Sequence, residues 1–350
     1  MLKERIGVCV VGPGFWAREM HLPAFATMPG VELVSVVGRS EAAARALAEQ
    51  FGAKRWSTDY REAVVADDVD VVDILAPNFL HAPVAIAAAE AGKHVICIKP
   101  LAMTLEEADA MIAAAEKAGV RLLYAENVPF IPAVQEARRI VESGAIGKVF
   151  RVKACEGIGV PHSAWHYDRS RAGGGAMIDM AVHSIEFCRA FAGADFASVY
   201  AETGTFVWQE KLEAEDTAVM TLRFANGVIG QCEDSWSLAG AMDSRFEVFG
   251  TAGRILIDNL HRQPIQVVSG AGQSAVATGW SFPSPLPGAI SDGHVAMLGH
   301  FIEALRSGAR SKSEAIVGWN ALAVIESAAV SAASGHREII RTRHWEDIHA

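Results

Sequence analysis

The sequence has no excess of positive charge. Its 350 residues include 31 Lys and Arg against 41 Asp and Glu, a formal net charge of −10 at pH 7. A surface that binds nucleic acid or anionic lipid must offer cations to phosphate groups. We therefore expect neither nucleic acid nor a membrane as a partner.

Cysteine is scarce and its spacing suggests no bridge. The five cysteines are Cys9, Cys97, Cys155, Cys188 and Cys232. Their number is odd, and no two show the C-x-x-C spacing of a metal site. We expect reduced core thiols, no metal and a cytoplasmic location.

Long hydrophobic runs are also missing. Ala85–Ala89 is short and Ala321–Ala333 is interrupted by Glu and Ser, whereas a membrane span needs about 18 apolar residues. The first residues run into the apolar segment Ile6–Val11 without a signal-peptide cleavage site. We expect no membrane helix and no signal peptide.

What is present is enough for about two domains, because domains typically have 100 to 200 residues. In the first third, β-branched runs alternate with alanine-rich helical segments, which predicts βαβ units and a doubly wound parallel sheet over residues 1–125. The predicted strands are Ile6–Val11, Leu33–Val37, Val69–Leu75, His94–Ile98 and Arg121–Ala125. The predicted helices are Ser40–Phe51, His81–Ala91 and Leu105–Ala118.

Residues 126–350 are predicted to form a second α/β domain with one large open, mainly antiparallel sheet. Short strands with turns such as Asn226-Gly227 predict a meander of hairpins. Helices are expected near Ala133–Ser143, Gly175–Phe191, His294–Arg306 and Ser313–Ser334. The Gly-, Ser- and Pro-rich stretch Gly270–Ile290 is expected to be irregular.

A glycine motif follows the first predicted strand. Gly12-Pro13-Gly14-Phe15-Trp16-Ala17 lies between a strand and a helix, the context of a Rossmann dinucleotide fingerprint. Gly12 would make the tight turn, and Gly14 would let the backbone approach a pyrophosphate. We expect Gly12, Gly14, Phe15 and Trp16 to contact the cofactor; the alternative is an ordinary glycine turn.

The second strand ends at Gly38-Arg39-Ser40, where an NAD-specific fold places an acid for the ribose 2′-hydroxyl. Arg39 and Ser40 could instead bind the 2′-phosphate of NADP. We favour NADP over NAD and expect Gly38→Asp to shift the preference toward NAD. The alternative is that Ser40 only caps the next helix.

Two further places carry chemistry. Lys99 ends the strand His94–Ile98, and ligands of open α/β sheets bind outside the carboxyl ends of strands. Asp179 and His183 share one face of a helix whose other residues are apolar, after three glycines. The alternatives are a lysine reaching the surface and a structural Asp–His pair in the core.

In their order and spacing, these segments resemble the Gfo/Idh/MocA oxidoreductases, which include glucose–fructose oxidoreductase and inositol dehydrogenase. The resemblance covers nearly the whole chain. The matching segments are the glycine turn with His21, Ala76–His81, Ala91–Pro100, Ala125–Asn127, Ser143–Val149 and Gly173–His183.

This resemblance implies that Lys99, Asp179 and His183 match the catalytic residues of the family. It also implies that Pro77, Asn78, His81, Lys99 and Asn127 line the cofactor site. The chain departs from the family where Ile98 stands in place of the usual glutamate before the lysine, which puts the orientation of Lys99 in question.

The implied chemistry is reversible hydride transfer between a nicotinamide and a carbinol carbon of a sugar, polyol or inositol. His183 is the expected base, Lys99 would stabilise the alkoxide, and Asp179 would hold a hydroxyl or the histidine. We expect the preceding loop, with Trp165, His166 and Arg169, to line the substrate site. Asn127, Trp236 and Arg245 are further candidates.

Two rival functions belong to the same family. One is a glycoside hydrolase with a tightly held NAD, and the other is a cofactor-binding regulator without catalysis. For assembly, we expect a homodimer or homotetramer built through the open sheet, because strands such as Ala218–Phe224 and Arg245–Phe249 carry apolar residues on both faces in places.

Overall fold

A computed structural model describes residues 5–270 and 290–344. Most of the predicted irregular stretch, Gly270–Ile290, lies outside these residues. The described chain divides into two compact units. The first draws on Met1–Glu126, Arg171–Gly173 and His294–Trp319, and the second on Asn127–Ser170, Gly174–Gly293 and Asn320–Ala350. The predicted division into domains of residues 1–125 and 126–350 stays a prediction.

The first unit is built on a parallel sheet. Its strands are β1 (Ile6–Val11), β2 (Val31–Val37), β3 (Arg55–Ser57), β4 (Val71–Ile74), β5 (His94–Ile98) and β6 (Leu122–Ala125). They form a six-stranded sheet in the order β3-β2-β1-β4-β5-β6, with every pair parallel. Every residue of β1 is buried, as expected for a parallel strand covered on both faces. The predicted doubly wound fold is confirmed.

The helices of this unit are α1 (Leu22–Thr27), α2 (Glu41–Phe51), α3 (Tyr60–Val64), α4 (His81–Glu90) and α5 (Leu105–Ala118). Local chemistry sets their ends. Thr104 Oγ1 accepts from the Glu107 amide while Glu107 Oε2 accepts from the Met103 amide, a reciprocal cap for α5. Gly119, with φ +67°, ends that helix in the left-handed region.

The order of the strands creates one crevice. The chain extends the sheet from β1 outward to β3 and then crosses to β4 on the other side of β1. Ligands of such sheets bind at this reversal, outside the carboxyl ends of the strands. The glycine motif directly follows β1 and therefore lies there.

The second unit contains β7 (Val149–Ile158), β8 (Phe196–Gly204), β9 (Thr217–Phe224), β10 (Ile229–Ser235), β11 (Met242–Gly250), β12 (Gly253–Asp258), β13 (Ile265–Ser269) and β14 (Glu338–Ile339). These form an eight-stranded sheet in the order β13-β12-β11-β7-β10-β9-β8-β14. The expected meander is wrong in one respect: β7 lies between β11 and β10 and runs parallel to β10. All other pairs are antiparallel, so the predicted mainly antiparallel sheet is confirmed.

The remaining helices are α6 (Pro132–Glu142), α7 (Arg169–Ala172), α8 (Ala176–Ala192), α9 (Ile290–Ser307) and α10 (Ala315–Ser334). Helix α8 packs against β7 and β10. Its Phe187 stacks on Phe246 of β11, with ring centroids 4.3 Å apart, and both rings are buried. Helix α8 thus lies over the middle strands of the sheet.

Helix α10 is the one described helix that is long and apolar enough, by length and composition, to cross a membrane. The sequence predicts no membrane helix, and this stays a prediction. In the most apolar 18-residue stretch of α10, 61% is buried inside the structure. A core helix of a folded protein has this same character.

Candidate active site

The predicted site residues occur in both units, and each group is described within its own unit. The first unit contains Gly12, Gly14, Phe15, Trp16, Arg39, Ser40, Pro77, Asn78, His81 and Lys99. The second contains Asn127, Trp165, His166, Arg169, Asp179 and His183.

The glycine turn after β1 requires its first glycine and leaves space at its second. Gly12 has φ +111°, and a Cβ there would lie 2.5 Å from the carbonyl carbon of Leu75. A Cβ on Gly14 would meet no heavy atom of the described residues within 4 Å. This open space beside exposed backbone fits the close approach of a pyrophosphate.

A buried contact within hydrogen-bond distance holds His21, the residue that directly precedes α1. His21 Nδ1 lies 2.8 Å from Asp73 Oδ2, and both side chains are fully buried. Trp16 stacks on His294 at 5.2 Å between ring centroids. Asp73 is the one charged residue of β4, a signal in the sequence that our reasoning missed.

The end of β2 has the form expected of a 2′-phosphate site only in part. Arg39 is exposed, whereas Ser40 Oγ accepts from the Ala43 amide and so caps α2. The alternative interpretation of Ser40 as a cap is therefore correct, although its hydroxyl can still donate a hydrogen bond. Gly38 packs so closely that a Cβ would lie 2.2 Å from Pro13 Cγ.

Two polar side chains that follow β4 contact backbone carbonyls. Asn78 is buried and donates through Nδ2 to the Ala172 carbonyl at 2.8 Å. His81 is fully buried, with Nδ1 2.8 Å from the Pro100 carbonyl and Nε2 2.9 Å from the Ala76 carbonyl. Burial lowers the pKa of His81. Since both ring nitrogens face backbone carbonyls, His81 braces the loops after β4 and β5.

Lys99 directly follows β5 and is half-buried, with its amide bonded to the Ala125 carbonyl at 3.3 Å. Ile98, in the position of the family glutamate, is a buried residue that pairs with Ala125 in the sheet. An apolar side chain therefore replaces a carboxylate next to the lysine.

In the second unit, Asp179 lies near the start of α8 and is buried. Its Oδ2 accepts from Trp236 Nε1 at 2.9 Å, and Trp236 is fully buried at the end of β10. His183 is one helical turn further along and half-buried. The predicted pair thus lies on one face of α8, with the carboxylate oriented by an indole.

The loop residues Trp165 and His166 extend this group. The Trp165 and His166 rings stack at 3.8 Å between centroids, and His166 meets the edge of Trp236 at 5.7 Å. Asn127 is buried at the start of a short turn. Arg169 is exposed.

The expectation for Arg245 is wrong. Its neighbours Ser244 and Phe246 are buried beneath the helices, so Arg245 lies on the other face of the sheet, where it pairs with Asp243 at 2.5 Å. Sequence reasoning also missed Glu215, Asp216 and Trp208, which contact this region and are discussed below.

The cysteines and the possible metal ligands also bear on the chemistry of the protein. All five cysteines are free, and four of them are buried. Burial raises the pKa of Cys9 to about 12, so its thiolate form is suppressed. Within residues 5–270 and 290–344, no group of three His, Cys, Asp or Glu side chains could hold a metal ion.

Comparison with known proteins assigns the class. Residues 6–126 match the model of an oxidoreductase family with an NAD-binding Rossmann fold, and residues 134–256 match the GFO/IDH/MocA C-terminal domain. The chain is an NAD-binding oxidoreductase.

Individual relatives support the same assignment. Levoglucosan dehydrogenase of Pseudarthrobacter phenanthrenivorans is 33% identical over 77% of this chain and 78% of its own. Myo-inositol 2-dehydrogenase of Thermotoga maritima is 32% identical over 65% of this chain and 68% of its own. A solved levoglucosan dehydrogenase in complex with NADH and levoglucosan is 28% identical, with a TM-score of 0.89 over 97% of this chain and 100% of that one. The chain belongs to the Gfo/Idh/MocA family.

The glycine turn generates a paired prediction. Gly14→Ala should leave the melting temperature of the cofactor-free protein unchanged but weaken NAD binding at least roughly tenfold, because the added methyl occupies the space for the pyrophosphate. Gly12→Ala should lower both stability and binding, since its Cβ meets backbone. Differential scanning fluorimetry and calorimetric titration separate the two effects; normal NAD affinity in Gly14→Ala would contradict the assignment.

Proposed function

We propose that this protein transfers a hydride reversibly between a nicotinamide dinucleotide and the CH–OH carbon of a sugar, polyol or inositol. The observation that carries the proposal is the buried Asp179 carboxylate, held by Trp236 and followed one turn later by His183 on the same helix face. Burial of an acid among apolar residues costs free energy, so an Asp and a His one helical turn apart there suit a site for chemistry.

The residues of the first unit fit the cofactor. Gly12 and Gly14 would hold the pyrophosphate by backbone approach, and Arg39 with Ser40 would meet a 2′-phosphate. Bound nicotinamide supplies the hydride donor or acceptor. The exposed guanidinium at residue 39, without an acid beside it, supports NADP over NAD.

Each proposed catalytic group has a distinct task. A ring nitrogen of His183 accepts the proton of the reacting hydroxyl, because imidazole is the side chain that most often serves as a general base. Lys99 Nζ donates a hydrogen bond that stabilises negative charge on that oxygen. Asp179 accepts from a neighbouring substrate hydroxyl, since a carboxylate offers acceptor sites beyond the one that Trp236 Nε1 occupies.

The substrate class is supported by the aromatic group and by the relatives. The half-buried Trp165, which stacks on the buried His166, would offer a ring to the apolar face of a sugar, with Arg169 a few residues further along. The names of the relatives concern levoglucosan and myo-inositol, both ring compounds with several hydroxyls.

The first test measures turnover. Aldoses, polyols and inositols are assayed by nicotinamide absorbance with NAD and NADP. Lys99→Ala and His183→Ala should each lower kcat at least roughly 10²-fold with dinucleotide affinity nearly unchanged, the behaviour of groups acting in proton transfer. Asp179→Asn should chiefly raise KM.

The same assay distinguishes the rival functions. Near-normal turnover in His183→Ala would remove it from the role of base. Release of sugar from a glycoside without net change in nicotinamide absorbance would indicate the hydrolase, and cofactor binding without turnover of any substrate would indicate a regulator.

The second test concerns cofactor preference. Arg39→Ala should weaken NADP binding about tenfold and NAD binding little, because only NADP carries the 2′-phosphate. Calorimetric titration of both cofactors decides this, and equal losses would contradict the NADP assignment. Gly38→Asp, an attractive variant on sequence grounds, is unsuitable because its Cβ would collide with Pro13.

For assembly, we propose a dimer, or a tetramer of paired dimers, through the open face of the eight-stranded sheet. This face is less apolar than the sequence suggested. Val219 is 48% exposed there, but Lys153 pairs with Glu233 at 2.9 Å and Arg254 with Glu247. A mixed face of this kind suits a second copy through ion pairs around an apolar centre.

Light scattering at micromolar concentration tests assembly. We expect at least twice the 37.3 kDa of one chain. Val219→Glu should shift the equilibrium toward monomer by placing a charge in the contact, whereas Val65→Glu, at another exposed apolar residue, should not. A stable wild-type monomer would refute the proposal.

The free and mostly buried thiols support a cytoplasmic location as part of this proposal, because reducing compartments preserve such thiols.

A further inference from the structure

One residue outside the predicted set binds the first turn of the helix that carries Asp179. Glu215 Oε1 accepts from the amides of Gly175 at 3.2 Å and Met177 at 2.9 Å. The backbone carbonyl of Glu215 accepts from Ala176 at 2.9 Å. Three successive amides that α8 leaves without helical partners are thus bound by a single residue.

The approach of Glu215 explains the last of the three glycines. A Cβ on Gly175 would lie 1.9 Å from the Glu215 carbonyl oxygen. Only glycine permits the two backbone segments to come this close. Gly175 therefore serves the contact with Glu215.

The segment that carries Glu215, residues 205–216, is held together by hydrogen bonds within it. Asp216 is fully buried, and its Oδ2 accepts from the amides of Phe206, Val207 and Trp208 at 2.9, 2.7 and 3.0 Å. Three donors on one carboxylate oxygen close the segment into a compact loop.

The same loop reaches the indole that orients Asp179. Trp208 Nε1 donates to the Trp236 carbonyl at 2.8 Å, and Trp236 Nε1 donates to Asp179 Oδ2. The loop therefore contacts both supports of Asp179: the helix turn that carries its backbone and the tryptophan that binds its side chain.

The charge environment of Glu215 agrees with this role. Burial raises its pKa, while hydrogen bonds to the amides of α8 and the positive charge of Arg169 oppose the shift. The positive charge of Arg169 therefore favours the ionised form of the Glu215 carboxylate.

We propose that Glu215 is a positioning residue that fixes the first turn of α8 and thereby holds Asp179 where it binds a substrate hydroxyl. The substrate part of this inference rests on the proposed function. The geometric part does not, because the bond between Asp179 and Trp236 can be observed without turnover.

The test compares three variants of the full chain. Glu215→Ala removes both side-chain hydrogen bonds, and Glu215→Gln keeps an acceptor oxygen without the charge. Glu213→Ala, at an exposed acid of the same loop, is the matched control. The readouts are amide hydrogen exchange of residues 175–179, exchange of the Trp236 indole N–H by NMR, and steady-state kinetics.

In Glu215→Ala we expect about tenfold faster exchange of the α8 amides, the effect of losing a helix cap. The Trp236 indole N–H should also exchange faster, and KM for the substrate should rise about tenfold with cofactor affinity unchanged. Glu215→Gln should keep most of the slow amide and indole exchange and most of the low KM of the wild type. Glu213→Ala should match the wild type in all three measurements.

Unchanged exchange of the Trp236 indole N–H in Glu215→Ala would overturn the inference, even if the variant were less stable. An unchanged KM alongside faster exchange would reduce Glu215 to a structural cap and overturn the substrate part. A wild type without oxidoreductase turnover would refute the proposed function, while the indole measurement would still decide the role of Glu215.

Discussion

The hydrogen bond between the Trp236 indole and the Asp179 carboxylate is the constraint around which the second unit is arranged. An ionised carboxylate in an apolar interior is costly without a donor, and a buried indole N–H needs an acceptor. Each group satisfies the other at 2.9 Å. This bond connects the end of β10 to the start of α8. The ring of His166 packs against the same tryptophan, and Trp208 Nε1 donates to its backbone carbonyl.

In the first unit, too, buried polar side chains lie against hydrogen-bonding partners. His21 lies against Asp73, and the ring of His81 lies between two backbone carbonyls, to one of which its neutral form can donate. These buried imidazoles thus help to hold the turns and loops at the crevice. At this crevice we propose that the backbone of the glycine turn and the side chains of Arg39 and Lys99 meet the ligand. The match of residues 6–126 to an NAD-binding Rossmann fold and the open space at Gly14 support the proposal that this edge of the sheet binds the dinucleotide.

The sequence predicted best those features that depend on residues close together in the chain. β1, β5 and α5 have the predicted bounds, because continuous apolar runs, caps and glycine stops are read along the chain. Asp179 and His183 were recognisable because two polar residues one turn apart interrupt an apolar helix. Arg245 was misplaced because alternation along a strand does not say which face meets the helices.

The sequence by itself determined the class of fold, the glycine turn and the polar pair on α8, since each depends on neighbours within a few residues. Only the tertiary structure decided that β7 runs beside β10, that Trp236 holds Asp179, and that Glu215 caps a helix that begins about 40 residues earlier. These pairings join segments far apart in the chain. Their partners are chosen by burial and hydrogen-bond satisfaction in the folded core, which no local pattern encodes.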